Sequence, residues 1–154
     1  FLIMNEIEIT ADGSATIYVP HLDEHYHSVK GALTESLHIF RDCAFMHAST
    51  ADEPLRVLEI GFGTGLNAVV TAMAANEERK AHYISLELYP LASEMIERLN
   101  YGELVDNDLL LSLHNAQWGA PQEITPCFTL EKLHPCNYIG FCELYWTPQN
   151  FFAA

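Results

Sequence analysis

The sequence predicts an α/β domain on a mainly parallel sheet, extended at its amino-terminal end by a β-hairpin. Three observations carry this. A short β-prone segment, Arg56-Val57-Leu58-Glu59-Ile60, runs straight into Gly61-Phe62-Gly63-Thr64-Gly65; a helix-forming stretch from Leu66 to Ala75 follows; and a second β-prone run starts at His82. Strand, tight turn, apolar helix and strand in that order build the unit in which two strands lie parallel with a right-handed crossover. The 154 residues amount to a single domain, since one domain takes roughly 100 to 200 residues.

From the amino-terminal end, Ile7 and Ile9, then Thr16 and Tyr18, alternate around Asp12-Gly13, the pattern of a hairpin. Leu22 to Ser28 is polar and without a clean period, and reads as a loop. Leu33, Leu37, Phe40 and Ala44 then recur at helical spacing, predicting a helix from about Gly31 to His47, which the polar connection Ser49 to Pro54 ends. Residues 1–50 thus form a hairpin and helix extension ahead of a core over 51–154. In that core the helix after the glycine loop is apolar almost all round, so it is expected to be buried. The second strand covers His82 to Leu88, Pro90 stands where a helix can begin, and Leu91, Met95 and Leu99 repeat at four-residue spacing. Leu104 to His114 reads as a further helix, and Ile124 to Leu133, with Phe128 and Leu130 alternating against Thr129 and Glu131, as another strand.

Apolar residues make up 49% and charged residues 18% of the chain, enough for a real core and far from the signature of disorder. Seven Lys+Arg against 21 Asp+Glu leave a net charge of −14. That weighs against unaided nucleic-acid binding, because no basic face is available in bulk for phosphates. Cys43, Cys127, Cys136 and Cys142 contain no Cys-x-x-Cys pair and read as reduced, mostly buried thiols. No stretch approaches the roughly 18 apolar residues of a membrane helix, and Phe1 to Met4 is too short for a signal-peptide core. A cytoplasmic protein with no membrane partner is expected.

The glycine loop carries the chemistry. Only glycine takes positive φ without a Cβ penalty and lets a ligand press on the main chain, so three glycines at alternate positions after a strand imply that something uses that space. Gly-x-Gly-x-Gly lacks the third glycine of the dinucleotide pattern Gly-x-Gly-x-x-Gly. Glu59, two residues ahead of the loop, would repel a pyrophosphate and suits a cationic ligand end such as the amino group of S-adenosylmethionine. Glu87 ends the second strand, 22 residues beyond Gly65, where an open α/β sheet presents a carboxylate to ribose hydroxyls. The loop has no phosphate-binding lysine, which argues against a nucleoside triphosphatase. Alone, the loop also fits a structural turn, the weaker of the two readings; with its flanking strand, helix and second acid it describes a nucleoside pocket.

Other constellations are weaker. His21, His25 and His27 are close in sequence, but no regular element puts that spacing on one tetrahedral face, so they read as loop histidines and no metal is expected. Tyr26 and Phe62 suit either base stacking or packing. Asp23-Glu24 and Glu77-Glu78 read as solvated faces, and Trp118 and Trp146 as packing residues.

Val57-Leu58-Glu59-Ile60-Gly61-Phe62-Gly63-Thr64-Gly65-Leu66-Asn67 resembles the signature of the methyltransferases that finish 5-methylaminomethyl-2-thiouridine at the tRNA wobble position. Ala11-Asp12-Gly13-Ser14, Asp23-Glu24-His25-Tyr26-His27-Ser28 and Glu35-Ser36 resemble the amino-terminal part of the stand-alone members, and the resemblance is nearly continuous from Thr10 to about Leu133. It implies a Rossmann-like S-adenosylmethionine-dependent methyltransferase fold, S-adenosylmethionine as methyl donor, tRNA as substrate, and an oxidoreductase acting on the preceding modification as partner. Carried over residue by residue, it assigns cofactor binding to Glu59, Gly61, Gly63, Gly65, Asn67 and Glu87, and a cleft-lining role to Tyr26, Ser28 and Glu35.

Downstream the chain departs from the family pattern, which has Asp-x-Phe-x-Pro after the fourth strand and then Pro-x-x-Trp. Here Asn137-Tyr138-Ile139-Gly140-Phe141-Cys142 passes directly to Glu143-Leu144-Tyr145-Trp146-Thr147, so the expected aspartate is absent near Phe141 and the catalytic residue is unassigned. The sheet is therefore expected to be incomplete, with the carboxy-terminal part of the 51–154 methyltransferase core missing. Two function classes stand. Family-specific residues favour methyl transfer to the aminomethyl group of a modified wobble uridine. The acidic charge favours a small-amine methyltransferase, or a cofactor-binding module without tRNA activity.

Overall fold

Two sheets share the chain, and Asn100 and Tyr101 tie the first of them to the core. A computed structural model describes residues 5–49 and 54–134. The amino-terminal sheet is antiparallel and three-stranded, in the order β1 (Glu6–Ile9), β2 (Ala15–Val19), β3 (Glu24–His25). The expected hairpin is present, with Ile7 opposite Ile17 and Ile9 opposite Ala15. The third strand lies where a loop was expected: Glu24 and His25 pair with Val19 and Tyr18, a match too short to show as alternation.

The hairpin turn also starts the following helix. Gly31, at the N-cap, has no side chain to satisfy the first amides, and every helix opens with amides that lack intrahelical acceptors. Thr10 Oγ1, Ser14 Oγ and Asp12 Oδ2 accept from the amides of Ala32, Leu33 and Thr34, at 3.3, 3.0 and 2.8 Å. A Cβ at residue 31 would lie 2.6 Å from Asp12 Oδ2, so this approach requires glycine. Partial burial works to raise the Asp12 pKa, but bonds from Ser14 and Thr34 outweigh it and hold the carboxyl well below its usual range. The helix runs as α1 (Ala32–Glu35) and continues in the wider π register over Ser36–Phe45, within the 31–47 predicted. Asn100 Oδ1 accepts from Ala15 N at 2.8 Å, and the Tyr101 hydroxyl donates to Ala15 O at 2.7 Å, docking the hairpin on the core.

The second sheet has the order β4 (Leu55–Ile60), β5 (Ala81–Leu86), β7 (Phe128–Leu133), β6 (Gln122–Thr125). β4, β5 and β7 are mutually parallel, as the glycine-loop unit predicts. The single strand expected over 124–133 is instead a hairpin, with β6 antiparallel to β7, so the sheet is mixed. Pro126 has no amide to give a ladder, and Thr125 Oγ1 accepts from Cys127 N at 3.2 Å, closing the turn.

α2 (Leu66–Ala74) is the buried helix; Leu66, Ala68, Val69 and Val70 are 0–1% exposed. After β5 the helix starts later than Pro90 suggested. α3 (Ser93–Arg98) begins three residues on, because the Tyr89 amide donates to Glu87 Oε1 at 2.7 Å and Ala92 is extended. A 3₁₀ turn over Asn100–Glu103 follows. α4 (Asn107–Asn115) starts later than the expected Leu104 because Asp106 is its cap, accepting from Leu109 N at 2.9 Å.

On the buried face of the sheet, registered residues form rows: Leu55, Ala81 and Phe128; Val57, Tyr83 and Leu130; then Glu59, Ser85 and Lys132. The first two rows are apolar apart from the Tyr83 hydroxyl, and Tyr83 and Phe128 pack with ring centroids 5.6 Å apart. The last row, at the carboxyl ends of the strands, is polar and buried. Among the described residues β4 is an edge of its sheet. The segment Asn137 to Thr147, with Phe141, lies outside the described residues, as do Cys136, Cys142 and Trp146.

Asp12→Ala removes acceptors from the turn and from the first turn of the helix together. It should lower unfolding free energy by about 1–2 kcal/mol, the range for a lost cap. Denaturant titration checks it; an unchanged midpoint would show that these bonds carry no net weight.

Candidate functional site

The parallel register places the two sequence anchors side by side. Ile60 pairs with Leu86, and Gly61 N donates to Leu86 O at 2.7 Å, so the glycine loop leaves β4 as Glu87 leaves β5. Glu87 Oε2 accepts from Gly63 N at 2.9 Å and Oε1 from Tyr89 N at 2.7 Å. Each carboxylate oxygen has a second lone pair, so the group keeps two acceptor positions. Gly61, Gly63 and Gly65 all have positive φ, at 90, 51 and 74°. A Cβ at Gly61 would meet nothing within 4 Å, and this open space borders the end of β5. Gly63 and Gly65 face protein instead: a Cβ at Gly63 would stand 3.2 Å from Tyr26 Cδ2, and one at Gly65 2.9 Å from His114 Nε2.

Glu59 is brought to the base of the site but is turned inward. It is 8% exposed; Oε2 accepts from Ser85 Oγ at 2.7 Å and Oε1 from Asn67 Nδ2 at 3.3 Å. Burial pushes its pKa up to about 7, against hydrogen bonds from Ser85, Tyr83 and Asn67 that favour the anion. Asn67, on the first turn of α2, also accepts from Ser36 Oγ at 2.8 Å, so it ties α2 to both the sheet and the amino-terminal helix.

The amino-terminal extension forms one wall. Tyr26 lies over Gly63 with its hydroxyl pKa raised by burial and then by the Glu87 charge. Ser28 and Glu35 meet each other: the Ser28 amide donates to Glu35 Oε2 at 2.8 Å. His27 points inward, sharing a 2.7 Å hydrogen bond with Thr64 Oγ1, and burial lowers its pKa to about 4. His25 instead donates to Glu8 Oε2 at 2.9 Å, so the two histidines diverge. Among the described residues no cluster of three or more metal-ligating side chains occurs.

Phe62 is 5% exposed and packs edge-on against His114, a packing role. The sequence reading did not identify Ser85, Thr64, His114 or Lys132. Only Ser85 has a local signal, a hydroxyl on the inward phase of an otherwise apolar strand face.

No family model matches the sequence. The chain is 30% identical over 103 residues to the "tRNA 5-methylaminomethyl-2-thiouridine biosynthesis bifunctional protein MnmC" of Cupriavidus metallidurans, a match covering 64% of the chain and 15% of that protein. Against the protein of the same name from Polaromonas sp. it is 33% identical over 120 residues, 73% of the chain and 18% of the relative. The relatives are tRNA-modifying proteins. The chain thus spans under a fifth of the curated relatives it matches. The crystal structure of MNMC2 from Aquifex aeolicus superposes with a TM-score of 0.59 at 27% identity, covering 85% of this chain and 42% of that one. The shared architecture is a mixed α/β fold containing a parallel sheet. Among the described residues no helix is long and apolar enough to cross a membrane.

Two buried groups titrate in opposite senses. Glu59 holds its proton up to about pH 7 in the fold against an ordinary value of 4.5, so between these values the folded state binds more protons and stability falls as pH rises. His27 loses its proton near pH 4 in the fold against an ordinary 6.5, so between those values the unfolded state binds more and stability rises with pH. The two slopes oppose each other from about pH 4.5 to 6.5. In Glu59→Gln the opposing slope is removed, leaving the rising slopes of His27 and of His114, whose pKa burial also lowers, and stability should climb with pH more steeply than in wild type. Denaturant midpoints across that window test it; parallel curves would show that Glu59 does not titrate there.

Proposed function

We propose that this chain forms the cofactor-binding part of an S-adenosylmethionine-dependent methyltransferase acting on the aminomethyl group of a modified wobble uridine in tRNA. The observation that carries the reading is Glu87 braced against the glycine loop, with two acceptor positions left and open space at Gly61 beside it. That arrangement fits a ribose diol with its base and tail lying along the strand ends. The names of the relatives support the tRNA assignment, and the stand-alone form, a cytoplasmic location and an oxidoreductase partner belong to the same proposal.

In this reading Glu87 accepts from the ribose hydroxyls, and the main chain over Gly61–Gly65 passes close under the ligand. Glu59 and Asn67 brace the loop from below, and Glu59, which holds its proton up to about pH 7, favours a cationic ligand end when ionised. Tyr26 forms a wall, and Ser28 with Glu35 shapes the rim behind it. S-adenosylmethionine, when bound, supplies a methyl group on a sulfonium centre. The acceptor amine is protonated near neutral pH and must lose that proton before its lone pair can attack, a task suited to a neighbouring carboxylate. The family's aspartate would serve there, and the stretch Asn137 to Cys142 lacks it.

Calorimetric titration of S-adenosylmethionine should show binding, weakened in Glu87→Gln by about 1–3 kcal/mol, the cost of a lost acceptor. Radiolabelled methyl transfer then separates the acceptors. Label should enter tRNA bearing aminomethyl-2-thiouridine and not unmodified tRNA, whose uridine has no nucleophilic amine. The net charge of −14 favours the rival acceptor, a small free amine. Labelling of small amines alone would replace the tRNA assignment with that reading.

A further inference from the structure

The glycine loop is held from a side on which the sequence shows no motif. His114, in the last turn of α4, lies with Nε2 3.0 Å from Thr64 O. A carbonyl only accepts, so Nε2 carries the hydrogen. The same ring meets Phe62 edge-on, with centroids 5.3 Å apart and planes at 76°. At Gly65 a Cβ would fall 2.9 Å from His114 Nε2 and 3.3 Å from Phe62 Cζ, so the loop approaches the imidazole as closely as a backbone without a side chain permits.

His114 is itself fixed. Lys132, 1% exposed, donates from Nζ to His114 O at 2.7 Å, and its ammonium stands 5.3 Å from the Phe62 ring centroid and 4.9 Å from that of Trp118. A cation on one of the last carbonyls of a helix offsets the negative end of its dipole. Burial, with the neighbouring Lys132 charge, lowers the His114 pKa and keeps the ring neutral, which leaves one N–H to direct. Thr64 is 1% exposed, so its carbonyl receives from the imidazole what water supplies to an open loop.

We propose that His114 is a positioning residue for the glycine loop: by donating to the Thr64 carbonyl from α4, it holds the left-handed turn through Gly63 and Gly65 in the shape that receives the cofactor. Its consequence for ligand affinity rests on the S-adenosylmethionine reading above. The hydrogen bond does not.

Two variants of the full chain test it. In His114→Leu the donor is lost while the apolar contact with Phe62 is kept; in His114→Gln a neutral N–H donor is restored. S-adenosylmethionine affinity should fall about tenfold in His114→Leu, the equivalent of one lost hydrogen bond, and lie within about twofold of wild type in His114→Gln. A merely structural role would weaken both variants together. Wild-type affinity in His114→Leu, or equal loss in the two, overturns the proposal. If wild type binds no S-adenosylmethionine the functional reading fails, and amide exchange in the ligand-free protein decides the inference separately. Exchange over residues 61–66 should then be faster in His114→Leu and restored in His114→Gln; equal loop exchange in all three proteins rejects it.

Discussion

Everything at the site follows from the parallel register of β4 on β5. Pairing Ile60 with Leu86 makes both chains leave the sheet at one level, so a loop that needs three positive φ angles and a carboxylate from the next strand arrive together. A slip of β4 by one residue would turn Glu59 out of the buried face, away from Ser85, and carry Gly63 away from Glu87. The apolar rows beneath, from Leu55 through Tyr83 to Phe128, specify that register, so the core and the site share one determinant.

The polar row above them is the unusual part of the interior. Glu59, Ser85 and Lys132 lie on one face, yet the two ionisable groups serve different neighbours: Glu59 is bonded by Ser85 and Asn67, and Lys132 by the end of α4. Burying an ionisable group without partners is expensive, and each of these two has them. The row connects the sheet to α2 and α4, the two helices that flank the loop, so polar contacts set the loop's shape while the apolar rows hold the strands.

Local chemistry makes much of this legible in the sequence. The glycines, the acid at the end of the second strand, the Asp12-Gly13 turn and the all-apolar α2 each declare themselves within a few residues. What escaped depends on distance. His114 and Thr64 are 50 residues apart in the chain, and nothing near either suggests the other. Pro126 marks the β6–β7 turn, but the alternation of Phe128 and Leu130 against Thr129 and Glu131 reads as one strand across it, and the late starts of α3 and α4 arise because Glu87 and Asp106 redirect backbone amides locally. Glu59 was legible as an acid beside the loop; its inward direction was not, since that required knowing that Ser85 and Asn67 would converge on it.

The capping of the amino-terminal helix by the hairpin turn has a consequence for how the molecule opens. Thr10, Asp12 and Ser14 close the hairpin and also satisfy the amides of Ala32, Leu33 and Thr34, so neither element keeps its full set of bonds without the other. Hairpin and helix therefore rise and fall as one cooperative unit. His27 extends that unit to Thr64, and Tyr26 extends it to Gly63. A fluctuation that frays the first strands is felt at the glycine loop, far along the chain, and a ligand that orders the loop would in turn slow the opening of the amino-terminal segment.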